Sequence, residues 1–305
     1  MKKILFLALV LLSVAAVLSN LRYLSNLSDL SQKEAESSVS KTPILRVALV
    51  ADSHNENDLL GKALRQAQGK GINFVIGLGD YTNLGTVREL EEARAKFDES
   101  KLEYFLTVGD RDGWESRNRE EADNFKEIFG DATRVFDREG IRFVILDNSD
   151  IYSGISQEDW QLLEEGSLDT SVTPNLTFVF AHKTPFHPES KHIMGEDNPA
   201  VAVQAERLLE ILEGQRNSEV FTSKESEPTF EVYTNPVDGF FSGDLHFFAT
   251  YLSPSGSVKI TTVGAVALER NFQGPRFSVL TVWDDYSWEV EDVEIRMDAN
   301  TRFVM

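Results

Sequence analysis

Five short blocks carry side chains able to do chemistry: Asp52-Ser53-His54, Asp80, Asp110-Arg111-Asp112, His182 and Asp244-Leu245-His246. Each follows directly on an apolar run: ILRVALVA, NFVIGLG, EYFLTVG, TFVFA and FFSG. Carboxylate oxygens and imidazole nitrogens are the donors that divalent cations take, and the same groups perform acid–base work. Each residue also has a plainer reading. Asp52 and Asp80 precede helical stretches, where Asp is a preferred N-cap. A lone histidine at a strand end, such as His182, is often structural. His187 and His192 read as exposed loop residues, either of which could supply a proton. Trp114 and Tyr81 could line a pocket, with core packing as the default.

The runs that must position these groups are 44–52, 73–80, 103–110, 142–148 and 175–185. Helical stretches alternate with them: 58–70, 86–100, 120–129 and 157–165. Continuous apolar strands between helices indicate buried, largely parallel strands, and ligands then bind beyond their carboxyl ends. The last third, 240–246, 247–254, 257–268 and 276–295, is strand-like with turn signals at Pro254-Ser255-Gly256 and Asp284-Asp285, which predicts adjacent antiparallel hairpins. The expected result is two packed sheets with helices outside. Residues 186–236 are the least regular part, with one helical stretch at 200–214 and an acidic loop at 216–228.

Composition removes several classes. With no cysteine there is no disulfide, zinc ribbon, thiolate nucleophile or lipid-acylated cysteine. A net charge of −20 argues against a nucleic-acid polymer as partner, because such binding needs a positive face. At the start, Lys2-Lys3 precede the uncharged stretch Ile4–Leu18. As a helix that stretch spans about 22 Å, short of the roughly 30 Å hydrocarbon core. Residues 1–19 are therefore expected to be a signal peptide or signal anchor, 20–43 a polar tether, and 44–305 the folded domain. The expected location is extracytoplasmic, secreted or anchored to the membrane by the N-terminal segment.

Taken in order, the blocks resemble the calcineurin-like metallophosphoesterases. Asp52-Ser53-His54 resembles that family's D-x-H, and Gly79-Asp80-Tyr81-Thr82-Asn83-Leu84-Gly85 its G-D-x-x-(D/N)-x-G. Gly109-Asp110-Arg111-Asp112 stands at G-N-H-(D/E), His182-Lys183-Thr184-Pro185 at H-x-x-P, and Gly243-Asp244-Leu245-His246 at G-H-x-H. The resemblance implies a four-layer α/β/β/α sandwich of two mixed sheets, an α/β fold. It implies one or two divalent ions (Mn, Fe, Zn or Mg). Asp52, His54, Asp80 and His246 would surround the first, with Asp80 bridging. Asp110, His182 and Asp244 would complete the second site, and position 111 would protonate the leaving oxygen.

The chain departs from the pattern at three places: Asn becomes Asp110, His becomes Arg111 and His becomes Asp244. Four carboxylates would then neutralise two dications before any substrate arrives. Arg111 cannot act as a general acid, since its pKa stays above about 12. It can clamp a phosphate oxygen through paired N–H donors. Two readings follow. In the first the protein is a phosphoester hydrolase acting on a small phosphoester by metal-activated hydroxide, with Arg111 and His182 holding the phosphate. In the second it is a non-catalytic metal-binding relative, with Arg111 in the second metal's place, paired with Asp110, Asp244 or both.

Overall fold

The computed structural model describes residues 41–116, 122–166, 173–216, 231–232 and 237–296. The expected signal segment, nearly all of the tether and nearly all of the acidic loop 216–228 lie outside them. Among the described residues no helix is long and apolar enough to cross a membrane. The chain from Pro43 onward forms one compact unit.

The first half builds one sheet. Strand β1 (Pro43–Val50) runs parallel to β2 (Phe74–Gly77), and β2 runs parallel to β3 (Glu103–Leu106). Parallel neighbours need crossovers, supplied here by helix α1 (Asn57–Gly69) and helix α2 (Val87–Ser100). Helix α1 buries Leu59, Leu60, Ala63, Leu64 and Ala67, and α2 buries Leu90, Ala93 and Phe97, each an apolar stripe at helical spacing. Thr86 caps α2 in a capping box with Glu89. A short helix, α3 (Asp123–Phe129), adds Phe125 to the same layer.

The second sheet opens with the hairpin β4 (Arg134–Arg138) and β5 (Ile141–Ile145). Helix α4 (Gln157–Gly166) leads to β6 (Leu176–Ala181), parallel to β5. Helix α5 (Pro199–Leu212) starts at Asn198, whose side chain accepts from Ala200 N, and carries Pro at its first position. A two-residue pair, β7 (Gln215–Arg216) and β8 (Glu231–Val232), precedes β9 (Gly239–Ser242). Strands β10 (Ala249–Leu252) and β11 (Lys259–Thr262) pair antiparallel, as do β12 (Arg276–Trp283) and β13 (Trp288–Glu294).

The sheet orders are β13-β12-β1-β2-β3 and β10-β11-β9-β6-β5-β4. Side-chain alternation shows how they stack. Val47 and Leu49 of β1 face Phe143, Ile145, Phe178 and Phe180 of the other sheet, while Ala48 and Val50 face the layer of α1, α2 and α3. Val144, Val179 and Ala181 face α4 and α5. The four-layer α/β/β/α sandwich of two mixed sheets is the observed fold.

Two expectations need correction. Segment 240–254 is not a hairpin: β9 runs parallel to both β6 and β11, and lies fully buried between them. Strand β4 was not expected. It is an edge strand with Arg134, Asp137 and Arg138 among its five residues, so it shows no apolar run.

Candidate metal centre

The strand ends converge because the ladders continue past the strands as loops. Leu78 N donates to Val50 O (2.8 Å), Asp52 N to Gly79 O (3.0 Å) and His54 N to Asp80 O (3.0 Å). Gly243 N donates to His182 O (3.0 Å), and Asp244 N to the Asp52 carboxylate (3.2 Å). Within these loops Asp52, His54, Asp80, Asp244 and His246 all take left-handed backbone, with φ between 44° and 65°. Asp and His tolerate that region better than most residues, yet each instance still costs on the order of 1 kcal/mol. Glycines let the loops touch. A Cβ on Gly79 (φ 91°) would lie 2.6 Å from Gly109 Cα and 2.7 Å from His182 Nδ1.

Asp52, His54, Asp80 and His246 come together as expected. Their neighbouring donor atoms lie close: His54 Nε2 to His246 Nε2 3.0 Å, His54 Nε2 to Asp80 Oδ2 3.7 Å, His246 Nε2 to Asp52 Oδ1 4.0 Å. Neither aspartate caps a helix. Helix α1 begins after Glu56 without a side-chain cap, and α2 is capped by Thr86. His182 is wholly buried, and its Nδ1 must donate to Leu78 O (2.7 Å), because a carbonyl only accepts. That fixes the tautomer and leaves Nε2 as a bare lone pair. It faces Asp80 Oδ1 at 3.5 Å and Asp244 Oδ1 at 3.6 Å.

These groups fit a divalent cation. Asp52, His54 and His246 form one group with ligand-like spacing, and Asp52, Asp80 and His182 form another. Among the described residues Asp52 Oδ2, Asp244 Oδ2 and His182 Nε2 are buried without a hydrogen-bond partner. Burial, and then repulsion from His246, His182 and Arg111, holds the His54 imidazole down to about 4, so it is neutral at pH 7. Burial also lowers His182 and His246. Burial raises Asp52 and Asp80 well above the ordinary carboxylate range, and neighbouring carboxylates raise them further. Neutral imidazoles beside carboxylates short of positive charge are what a metal ion satisfies.

The other two carboxylates differ. Lys183 Nζ sits 3.0 Å from Asp244 Oδ1 and 3.3 Å from Asp110 Oδ2, with the lysine only 4% exposed. Burial alone would raise Asp110 and Asp244, but Lys183 together with His182, and for Asp244 also His192, brings both below the ordinary value. The side-chain cation that reaches both Asp110 and Asp244 is Lys183, whereas Arg111 pairs with Asp110. Arg111 is partly exposed: its Nε lies 3.7 Å from Asp110 Oδ1, and its guanidinium stacks 5.5 Å above the Trp114 ring. Sequence reasoning missed Lys183. The available signal was its place inside the His182-Lys183-Thr184-Pro185 block together with an excess of carboxylates needing a cation.

Supporting residues fall as follows. Asn148 holds Lys183 from both sides, accepting from its N (2.9 Å) and donating to its O (2.7 Å). Buried Asp112 accepts from Gly109 N (3.0 Å) and from Thr82 N (3.0 Å) and Oγ1 (2.8 Å), tying together the loops after β2 and β3. Tyr81 is core: its hydroxyl donates to Thr107 O (3.1 Å) and accepts from Gly79 N (3.0 Å). His192 reaches the site, with Nε2 3.3 Å from Asp244 Oδ1, whereas His187 accepts from Glu189 N (3.1 Å) and Ser190 N (2.8 Å) in its own loop. A cavity of about 270 Å³ opens over the centre, lined by His54, His246, Arg111, Arg270, Asn83, Leu84 and Glu269.

The family model for calcineurin-like phosphoesterases matches residues 45–248, from β1 through the Asp244–His246 block. The chain belongs to that family. Among solved structures, the calcineurin-like fold is matched by a dimetal phosphatase from Danio rerio at 16% identity and TM-score 0.56, covering 84% of this chain and 100% of that one. A purple acid phosphatase from yellow lupin (Lupinus luteus) seeds is similar at 14% identity and TM-score 0.52, covering 81% of this chain and 51% of that one. A search among curated proteins matches none of them. At positions 110, 111 and 244 this calcineurin-like phosphoesterase carries Asp, Arg and Asp, where the motifs it resembles have Asn, His and His.

Proposed function

We propose that this calcineurin-like phosphoesterase hydrolyses a small phosphoester with the aid of a divalent ion held by Asp52, His54, Asp80 and His246. One observation carries the reading. Two buried carboxylates, Asp52 and Asp80, lie among neutral imidazoles and, among the described residues, form no ion pair with a lysine or arginine, and His54 and His246 open into a cavity edged by two guanidiniums. A bound divalent ion supplies Lewis-acid polarisation of a phosphoryl oxygen and lowers the pKa of water.

The remaining work falls to this chain's own side chains. Arg111 and Arg270 present N–H donors at the cavity where a phosphate's oxygens would lie. Arg111 is steadied by Asp110 and Trp114 and so orients the anion; it does not exchange protons. The backbone N–H of Arg111 donates to Asp80 Oδ1 at 2.9 Å, which holds that carboxylate in place. A cavity of about 270 Å³ suits a compact ester, and the overall charge of −20 disfavours a polyanionic chain.

The test is turnover by the purified full chain, metal-stripped and then supplied with Mn²⁺, Fe²⁺, Zn²⁺ or Mg²⁺, against phosphomonoesters and phosphodiesters. We expect hydrolysis only with metal restored, and its loss by ~10³-fold or more on Asp80→Asn. Metal binding without turnover of any ester would sink the hydrolase in favour of a non-catalytic metal-binding relative.

A further inference from the structure

Four carboxylates surround this centre, and they divide into two pairs. Among the described residues neither Asp52 nor Asp80 makes an ion pair with a lysine or arginine, Asp52, Asp80 and His182 have ligand-like spacing, and Asp52 Oδ2, Asp244 Oδ2 and His182 Nε2 are buried without a hydrogen-bond partner. Asp110 and Asp244 share one ammonium, that of Lys183, at 3.3 Å and 3.0 Å. The lysine is not a stray surface side chain. Asn148 grips its backbone N–H and C=O, and it projects from the end of β6 beside His182. A charge this deeply buried persists only when paired, and two carboxylates supply the pairing.

The residue types fit the same account. Where the family pattern has a neutral Asn and a neutral His, this chain has Asp110 and Asp244. Neutral ligands suit a dication whose charge the substrate will share. Two added carboxylates suit a monovalent cation fixed to the chain. Asp52 and Asp80 balance one dication; Lys183, with Arg111 beside Asp110 and His192 beside Asp244, faces the other two acids. A second dication among Asp80, Asp110, His182 and Asp244 would meet the ammonium at close range and be repelled.

We infer that the Lys183 ammonium takes the place of the second metal ion, so that the protein holds a single divalent cation. The inference rests on the metal-dependent reading above and narrows it: the chain's own lysine provides the second positive charge of the centre.

Metal counting on the full-length protein tests it. The chain is stripped with chelator, dialysed to equilibrium against Mn²⁺, and its bound metal measured by mass spectrometry alongside its EPR spectrum. We expect one equivalent and the spectrum of an isolated Mn²⁺. In Lys183→Met we expect a second equivalent and the exchange-coupled spectrum of a metal pair, because the ammonium that Asp110 and Asp244 share is then gone. Arg111→Met should stay at one equivalent. Two tightly held equivalents in the unaltered protein overturn the inference and leave the hydrolase reading standing. So does a second equivalent gained in Arg111→Met but not in Lys183→Met. No bound metal at all overturns both readings. Should Lys183→Met fail to fold, the count and spectrum of the unaltered protein still decide.

Discussion

At the residue scale the site is built from conformations that a relaxed chain avoids. Asp52, His54, Asp80, Asp244 and His246 sit in left-handed backbone, and the ladder bonds running past the strand ends hold them there. The close approach at Gly109 is the tightest point. A Cβ there would lie 2.0 Å from Asp80 N and 2.2 Å from Asp80 Oδ1, and backbone cannot yield as a side chain would. Gly109→Ala is therefore expected to lower stability by ~1–3 kcal/mol and to displace Asp80 from its ligand position. Urea unfolding and Mn²⁺ titration of the same variant check both halves. Unchanged metal affinity would show that Asp80 does not depend on this contact.

At the element scale, helices and strands bring the loops to one place and fix their starts. Helix α2 begins just after the loop that contributes Asn83 to the cavity, and its capping box sets where that loop ends. Glu89 does double duty. One carboxylate oxygen completes the box with Thr86 N (3.1 Å), and the other accepts from Asn55 Nδ2 (2.5 Å), in the loop that follows His54. Removing the cap hydroxyl in Thr86→Ala should cost about 1 kcal/mol. The urea midpoint is expected to fall while metal stoichiometry stays as in the unaltered chain. A change in stoichiometry would mean that the cap shapes the metal site as well as the helix.

At the scale of the whole molecule, the centre depends on two sheets staying in register. Asp52, Asp80 and Asp110 belong to loops of the first sheet, while His182, Lys183 and Asp244 belong to the second. The faces between them are rich in phenylalanine: Phe143 stacks on Phe136 (centroids 5.1 Å apart) and on Phe180 (6.0 Å), and meets Phe74 edge-on (5.3 Å). Phe143 is fully buried, so Phe143→Ala is expected to destabilise by ~3–5 kcal/mol, a large share of a typical domain's stability. Adding saturating Mn²⁺ should recover part of the lost thermal midpoint, because the ion binds only the chain whose sheets are docked. No recovery would mean that the ion does not bridge loops of the two sheets.

The sequence alone determined the buried strands, because β1, β2, β5 and β6 face apolar layers on both sides and so read as continuous apolar runs. It also determined the order of the five blocks and the presence of two carboxylates, Asp110 and Asp244, beyond those of the family pattern. Tertiary structure decided the rest. The charged edge strand β4 and the parallel placement of β9 depend on neighbours that no local pattern encodes. Which cation stands between Asp110 and Asp244 depends on distances among residues far apart along the chain. Arg111 adjoins Asp110 in sequence yet turns outward over Trp114, whereas Lys183 enters from the other sheet and is buried between the two acids.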